Sequence, residues 1–125
     1  MWKEKNQNRK GKIHELSITE EILRICLEEA NRAGAKRIIK IKLKIGEITN
    51  IVPECVSFYF NILSKGSIAG NAKLDIEKIP IRGKCKNCRR EFFVEDFAFV
   101  CPECMSREVE MISGRELTID FMEVQ

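Results

Sequence analysis

CKNCRREFFVEDFAFVCPEC, residues 85–104, decides how this chain folds. Cys85 and Cys88 form one Cys-x-x-Cys turn, and Cys101 and Cys104 form a second, twelve residues further on. Each turn presents two sulfurs to one metal. Two turns complete a tetrahedron, the geometry in which thiolates bind Zn²⁺. A redox dithiol would need only one such turn, so the pair points to zinc. Four sulfurs leave no position for water, which makes the expected zinc structural and not catalytic. About thirty residues bury too little apolar surface to fold alone, and metal binding supplies what is missing. Phe92, Phe93, Phe97 and Phe99 are expected to form the small core of this zinc-ribbon-like module, and Lys84, Lys86, Arg89 and Arg90 to offset its negative charge. Zinc knuckles often carry glycine after the second cysteine. Here those positions are Arg89 and Met105, which predicts backbone strain at both.

Working outward, both flanks read as α/β. After Gly114, Leu117, Ile119 and Phe121 alternate with Glu116, Thr118 and Asp120 as a strand, and its apolar face has nothing to pack on in the cysteine module. It is expected to return to an earlier sheet, making the module an insertion. Upstream, Leu74 and Ile76 alternate with Lys73, Asp75 and Glu77, while Ile39, Ile41, Leu43 and Ile45 alternate with Lys40, Lys42 and Lys44. Pro53 suits the first turn of a helix whose apolar stripe is Val52, Val56, Tyr59, Phe60 and Leu63. Ser17 and Glu20 read as a capping box opening a helix over 18–33, with Ile18, Ile22, Leu23, Cys26, Ala30 and Ala33 at helical spacing. Gly34 fits the position after its end. Ile13 to Leu16 reads as a brief strand. The predicted fold is therefore α+β: a small mixed sheet with two helices on one face, formed by residues 13–81 and 112–125, and an inserted zinc domain at 82–111. An exposed edge strand could pair or swap to give a homodimer.

Composition bounds the function. No apolar run approaches the length of a membrane helix, and the N-terminus carries no apolar signal region, so the cytoplasm is the expected compartment. Residues 1–12 hold five basic residues against Glu4 and read as a flexible basic tail. The formal net charge of +3 is thus +4 in that tail and −1 over the rest. A near-neutral body argues against nucleic acid as the partner, although a zinc-ribbon nucleic-acid or protein-interaction module, with Lys36, Arg37, Lys40, Lys42 and Lys44 as its basic face, is the alternative. Cys26 and Cys55 fall on apolar helix stripes and read as core packing. No catalytic constellation is legible: Glu20, Glu21, Glu28 and Glu29 read as a solvated helix face, and His14 is the only histidine.

The surroundings of His14 change its weight. HELSITEEI at 14–22, IKLKIGEITNIVPE at 41–54, FYF at 58–60, the two cysteine turns, and GRELTIDFMEV at 114–124 occur in that order. In this set the chain resembles the HypA/HybF family of hydrogenase maturation nickel chaperones. The resemblance implies a nickel-binding α/β domain with an inserted zinc domain. It implies delivery of Ni²⁺ to the large subunit of [NiFe]-hydrogenase alongside a HypB-like GTPase, and in some members to urease. It makes His14 the nickel-binding histidine and Glu15 its acidic neighbour, with Cys85, Cys88, Cys101 and Cys104 as the zinc ligands. Imidazole suits Ni(II), whose nitrogen-rich sites are typically square-planar. Family members usually begin Met-His-Glu. Here Ile13 stands where that methionine belongs, behind twelve further residues: either a real extension or a start placed upstream. Any role of an α-amine is thereby lost locally, leaving the imidazole, nearby backbone amides and Glu15.

Overall fold

The computed structural model describes residues 2–125, with side chains from His14 onward. The chain forms two compact units, Met1–Leu43 with Ile51–Ile76 and Ile119–Gln125, and Lys44–Asn50 with Glu77–Thr118.

The first unit begins with one long helix, α1 (Trp2–Arg32). Neither the strand predicted at Ile13–Leu16 nor the helix start at Ser17 is present. Residues upstream of Ser17 are mostly Lys, Glu, Gln, Asn and Arg, which are compatible with a helix. Gly11 costs only about 1 kcal/mol there. A capping box acts only where a helix begins, and this one begins earlier. The tail predicted at 1–12 shares this helical backbone from Trp2, and its side chains lie outside the described residues. The far end follows expectation. Gly34 takes φ +71°, and the Ala35 amide reaches the Ala30 carbonyl at 2.9 Å, closing the helix in a Schellman motif.

The inner stripe of α1 buries Ile22, Leu23, Cys26 and Ala30. α2 (Pro53–Leu63) packs against it with Val56 and Phe60, and β1 (Ile38–Gly46) contributes Ile41 and Leu43. Truncating Phe60, the largest wholly buried side chain, would cost about 3–5 kcal/mol. Several positions depart from the predicted stripes: Ala33 is exposed, and Ile18 and Leu63 are half-buried. Val52 precedes α2 as its N-cap and is exposed, Tyr59 is half-buried, and Ile39 yields its core place to Ile38. On the outer face of α1, Arg24 joins Glu21 and Glu28, the solvated acidic face that the sequence implies.

β2 (Lys73–Ile79), β1 and β6 (Leu117–Val124) form a sheet in the order β2-β1-β6. The last strand therefore returns to the first sheet, but its predicted apolar face is not buried there: Leu117 and Phe121 are exposed and Ile119 is half-buried. The amide of Gln125 bonds the Arg37 carbonyl at 3.0 Å, and that of Lys36 bonds the Gln125 carbonyl at 2.7 Å. On the face bearing the lysines, Asp75 pairs with Lys42 at 3.3 Å and Lys40 at 3.7 Å. Lys42 above all, with Lys40 and Lys73, holds the Asp75 carboxyl below the usual carboxylate range. Lys40 also lies 5.6 Å from the Phe121 ring centroid.

The second unit centres on β3 (Arg82–Cys85). It pairs antiparallel with β4 (Glu91–Phe93), Lys84 opposite Glu91, and with β5 (Val109–Ser113), Cys85 opposite Val109. Two glycines make its tightest backbone approach. A Cβ on Gly46 would lie 2.0 Å from the Gly114 carbonyl oxygen. Gly46 is thus needed for close contact as well as for ending a strand. Gly114 itself takes φ +113° against Ile81.

Candidate metal centres

The four cysteines converge. Their sulfurs all lie within 4.8 Å of one another. Cys85 Sγ is 3.5 Å from Cys104 Sγ, and Cys88 Sγ is 3.5 Å from Cys101 Sγ. A tetrahedron with Zn–S bonds of about 2.3 Å separates its sulfurs by about 3.8 Å, so the cluster fits zinc with small adjustment.

Local structure explains the convergence. β3 delivers Cys85, whose carbonyl accepts from the Arg89 amide at 2.8 Å, and whose sulfur accepts from the Cys88 amide at 3.4 Å. The second knuckle repeats the turn, with the Met105 amide donating to the Cys101 carbonyl at 2.9 Å. Asn87 Nδ2 lies 3.6 Å from Cys104 Sγ, and Arg90 pairs with Glu103 at 3.3 Å, tying one knuckle to the other. Cys85 and Cys101 are buried, while Cys88 lies nearer the surface.

These amides tune the thiols. The Cys88 amide, then that of Asn87 and the neighbouring thiols, pull Cys85 down from 9.0 to about 6 against the cost of burial. The Cys104 amide chiefly lowers Cys101. The Arg90 amide would lower Cys88, but the thiols of Cys101, Cys85 and Cys104, together with burial, push it up to about 12.

The strain predicted at the glycine-less knuckles is present. Arg89 takes φ +66° and Met105 φ +64°, the left-handed region that disfavours side chains. Replacing either with glycine is expected to stabilise the zinc-loaded protein by about 0.5–1 kcal/mol. Thermal melts of Arg89→Gly and Met105→Gly, with zinc bound, measure this as a higher Tm.

The aromatic core predicted around the zinc is corrected. Phe93 and Phe97 are 64% and 54% exposed, and Phe92 and Phe99 are half-buried. Ile81 and Val94 are buried together with Cys85 and Cys101. A three-residue strand places alternate side chains on opposite faces, so Phe92 and Phe93 cannot both point inward. Phe93 lies beside Arg82, whose guanidinium is 5.6 Å from its ring centroid.

Cys26 behaves as predicted: buried, with its thiol pushed up to about 11 by desolvation. Cys55 is only half-buried.

His14 and Glu15 sit in the first unit, next to each other on α1 but on different faces. His14 is exposed. Glu15 is only 4% exposed, and its Oε2 accepts the Val52 amide at 2.5 Å. Consecutive helical residues point about 100° apart, so the two side chains do not converge. The backbone around them is helical, so the amides of this stretch lie within α1. The engagement of Glu15 with Val52 was not legible in the sequence, because the two residues are 37 positions apart.

The whole arrangement has known counterparts. Residues 13–124 match the family described as "Hydrogenase/urease nickel incorporation, metallochaperone, hypA". The hydrogenase maturation factor HypA of Moorella thermoacetica is 42% identical over 111 residues, covering 89% of this chain and 98% of that protein. The HypA of Geobacter sulfurreducens is 37% identical over 113 residues, covering 90% and 100%. Among solved structures, a solution structure of HypA protein superposes with TM-score 0.68 at 26% identity, covering 90% of this chain and 97% of the other. The Ni metallochaperone HypA from Helicobacter pylori superposes with TM-score 0.61 at 25% identity, covering 88% and 96%. Sequence and fold agree over nearly the full length of both partners in each comparison, and the chain belongs to the HypA family.

Proposed function

We propose that the protein is a nickel metallochaperone. It binds Ni²⁺ through the exposed imidazole of His14, with Glu15 as the acidic residue beside it, and passes the metal on during hydrogenase maturation. Nickel belongs to the unit built on α1, α2 and β1, while Cys85, Cys88, Cys101 and Cys104 hold a structural zinc in the other. The observation that carries this reading is the contrast between the two sites. The four sulfurs form a closed set suited to permanent metal. The single imidazole stands in solvent, where metal can be captured and released.

Hydrogenase is the client, since the curated relatives are named for its maturation. The hydrogenase large subunit would be the acceptor and a HypB-like GTPase the co-worker. The cytoplasm suits the proposal, because free thiolates need a reducing compartment, and no helix among the described residues is long and apolar enough to cross a membrane. β2 and β6 end their sheet, the kind of edge through which two copies form a homodimer. The nucleic-acid alternative draws less support. Two of its five basic residues, Lys40 and Lys42, are paired with Asp75.

The test is metal stoichiometry by elemental analysis. Wild type should retain zinc and take up added nickel with about micromolar affinity, which suits a site that must let go. His14→Ala should lose nickel uptake and keep its zinc. Loss of both metals, or unchanged uptake of both, would count against the assignment.

A further inference from the structure

Glu15 is placed as no free ligand would be. Its side chain points into the first unit, its Oε2 accepts from the Val52 amide, and its own carbonyl accepts the Thr19 hydroxyl at 2.6 Å. Thr19 is wholly buried, so this end of the contact is fixed as well.

The other end of the contact is the start of α2. Val52 is the N-cap of α2, where a Ser, Thr, Asp or Asn side chain would ordinarily accept from the first helical amides, and the Val52 side chain has no oxygen to offer. Pro53 at the first helical position has no N–H at all. The Val52 carbonyl already accepts from Cys55 and Val56, at 3.1 and 3.3 Å. The Val52 amide just ahead of the helix also needs an acceptor, and a residue of α1 supplies it. A carboxylate there also faces the positive end of the α2 dipole. The contact joins two segments that the sequence separates by 37 positions, and it lies one residue from His14.

We propose that Glu15 is a positioning residue and not a nickel ligand. Its carboxylate pins the turn of α1 that carries His14 to the entry of α2, so that the imidazole is presented outward from a fixed base. This deepens the reading of His14 as the nickel donor and rests on it. Because Glu15 and His14 project from different faces of α1, a carboxylate that turned outward to share the metal would abandon the Val52 amide inside the fold.

Two substitutions separate the roles. Glu15→Gln keeps a carbonyl oxygen for the Val52 amide and removes the anionic donor. Glu15→Ala removes both. Nickel affinity, the Ni²⁺ absorption spectrum and amide hydrogen exchange at Val52 are measured on the full chain with zinc bound, alongside His14→Ala. With Glu15→Gln, nickel affinity should stay within about threefold of wild type, the spectrum should be unchanged, and Val52 should remain protected. With Glu15→Ala, Val52 exchange should accelerate and nickel affinity should fall by about tenfold, again without a spectral change. A Glu15→Gln protein whose spectrum shifts, or whose nickel binding is lost as in His14→Ala, would make Glu15 a ligand and overturn the proposal. So would a Glu15→Ala protein with wild-type Val52 exchange. If His14→Ala binds nickel normally, the reading of His14 fails by itself, and Val52 exchange in Glu15→Ala still decides whether the tie between α1 and α2 exists.

Discussion

Cys85→Ser and Cys101→Ser should each release zinc and unfold the cysteine module, the largest effect of any single substitution in this chain. Both sulfurs are buried, and each takes part in a knuckle whose turn is held by the carbonyl of the same cysteine. A serine hydroxyl keeps the shape but binds Zn²⁺ poorly, and three thiolates hold the ion far more weakly than four. The binding free energy at stake is large: structural zinc sites in small domains contribute about 10–16 kcal/mol near neutral pH. Apolar packing cannot replace it, because the described apolar core of this unit beside the cysteines is small, Ile45, Ile81 and Val94, and two phenylalanines point to solvent. The expected NMR spectrum of either variant, or of wild type after a strong chelator, loses its dispersed signals over residues 82–111. Signals from Ile22, Val56 and Phe60 in the other unit should persist. A spectrum unaltered by zinc removal would end the structural assignment.

The second large effect is expected at a position with no chemistry. Gly46→Ala places a methyl group 2.0 Å from the Gly114 oxygen, 2.2 Å from its carbon and 2.6 Å from the Arg115 nitrogen. All three atoms are backbone, so no side-chain rotation relieves the clash. The two segments must separate. Doing so breaks the bonds from the Gly46 amide to the Glu116 carbonyl, at 2.6 Å, and from the Ile48 amide to the Gly114 carbonyl, at 3.0 Å. Overpacking of this kind costs about 1–3 kcal/mol, and the two strained hydrogen bonds add about 1 kcal/mol each. Chemical denaturation of the zinc-loaded protein should show a much lower midpoint with little change in slope. A midpoint equal to wild type would mean that the close approach of Gly46 and Gly114 contributes nothing to stability.

A variant that keeps nickel uptake while losing the zinc module would show that capture resides in the first unit alone. Such a result would leave delivery as the step that needs the second.

Legibility differed from element to element, and the reason was sequence range. The cysteine turns were readable because each ligand pair is fixed within four residues, and the metal then dictates the geometry. β1 was readable because one of its faces had to find a core, and Ile41, Leu43 and Ile45 are buried, whereas β6 pairs with it while Leu117 and Phe121 stay exposed. The start of α1 was misplaced because a local capping signal at Ser17 is silent inside a longer helix. The aromatic core around zinc was misread for a related reason: composition names the apolar residues, but β4 decides which of them face inward.

By itself, then, the sequence determined the α+β class and the four-cysteine set that fits zinc. Those follow from spacing, alternation and residue type, which are local quantities. Only the tertiary structure decided that Glu15 turns away from His14 to hold the Val52 amide, that Gly46 must stay bare because Gly114 passes over it, and that Phe93 and Phe97 stand in solvent. Each of these depends on which distant backbone arrives beside a side chain, and hydrogen-bond geometry and steric exclusion fix that only once the chain has folded.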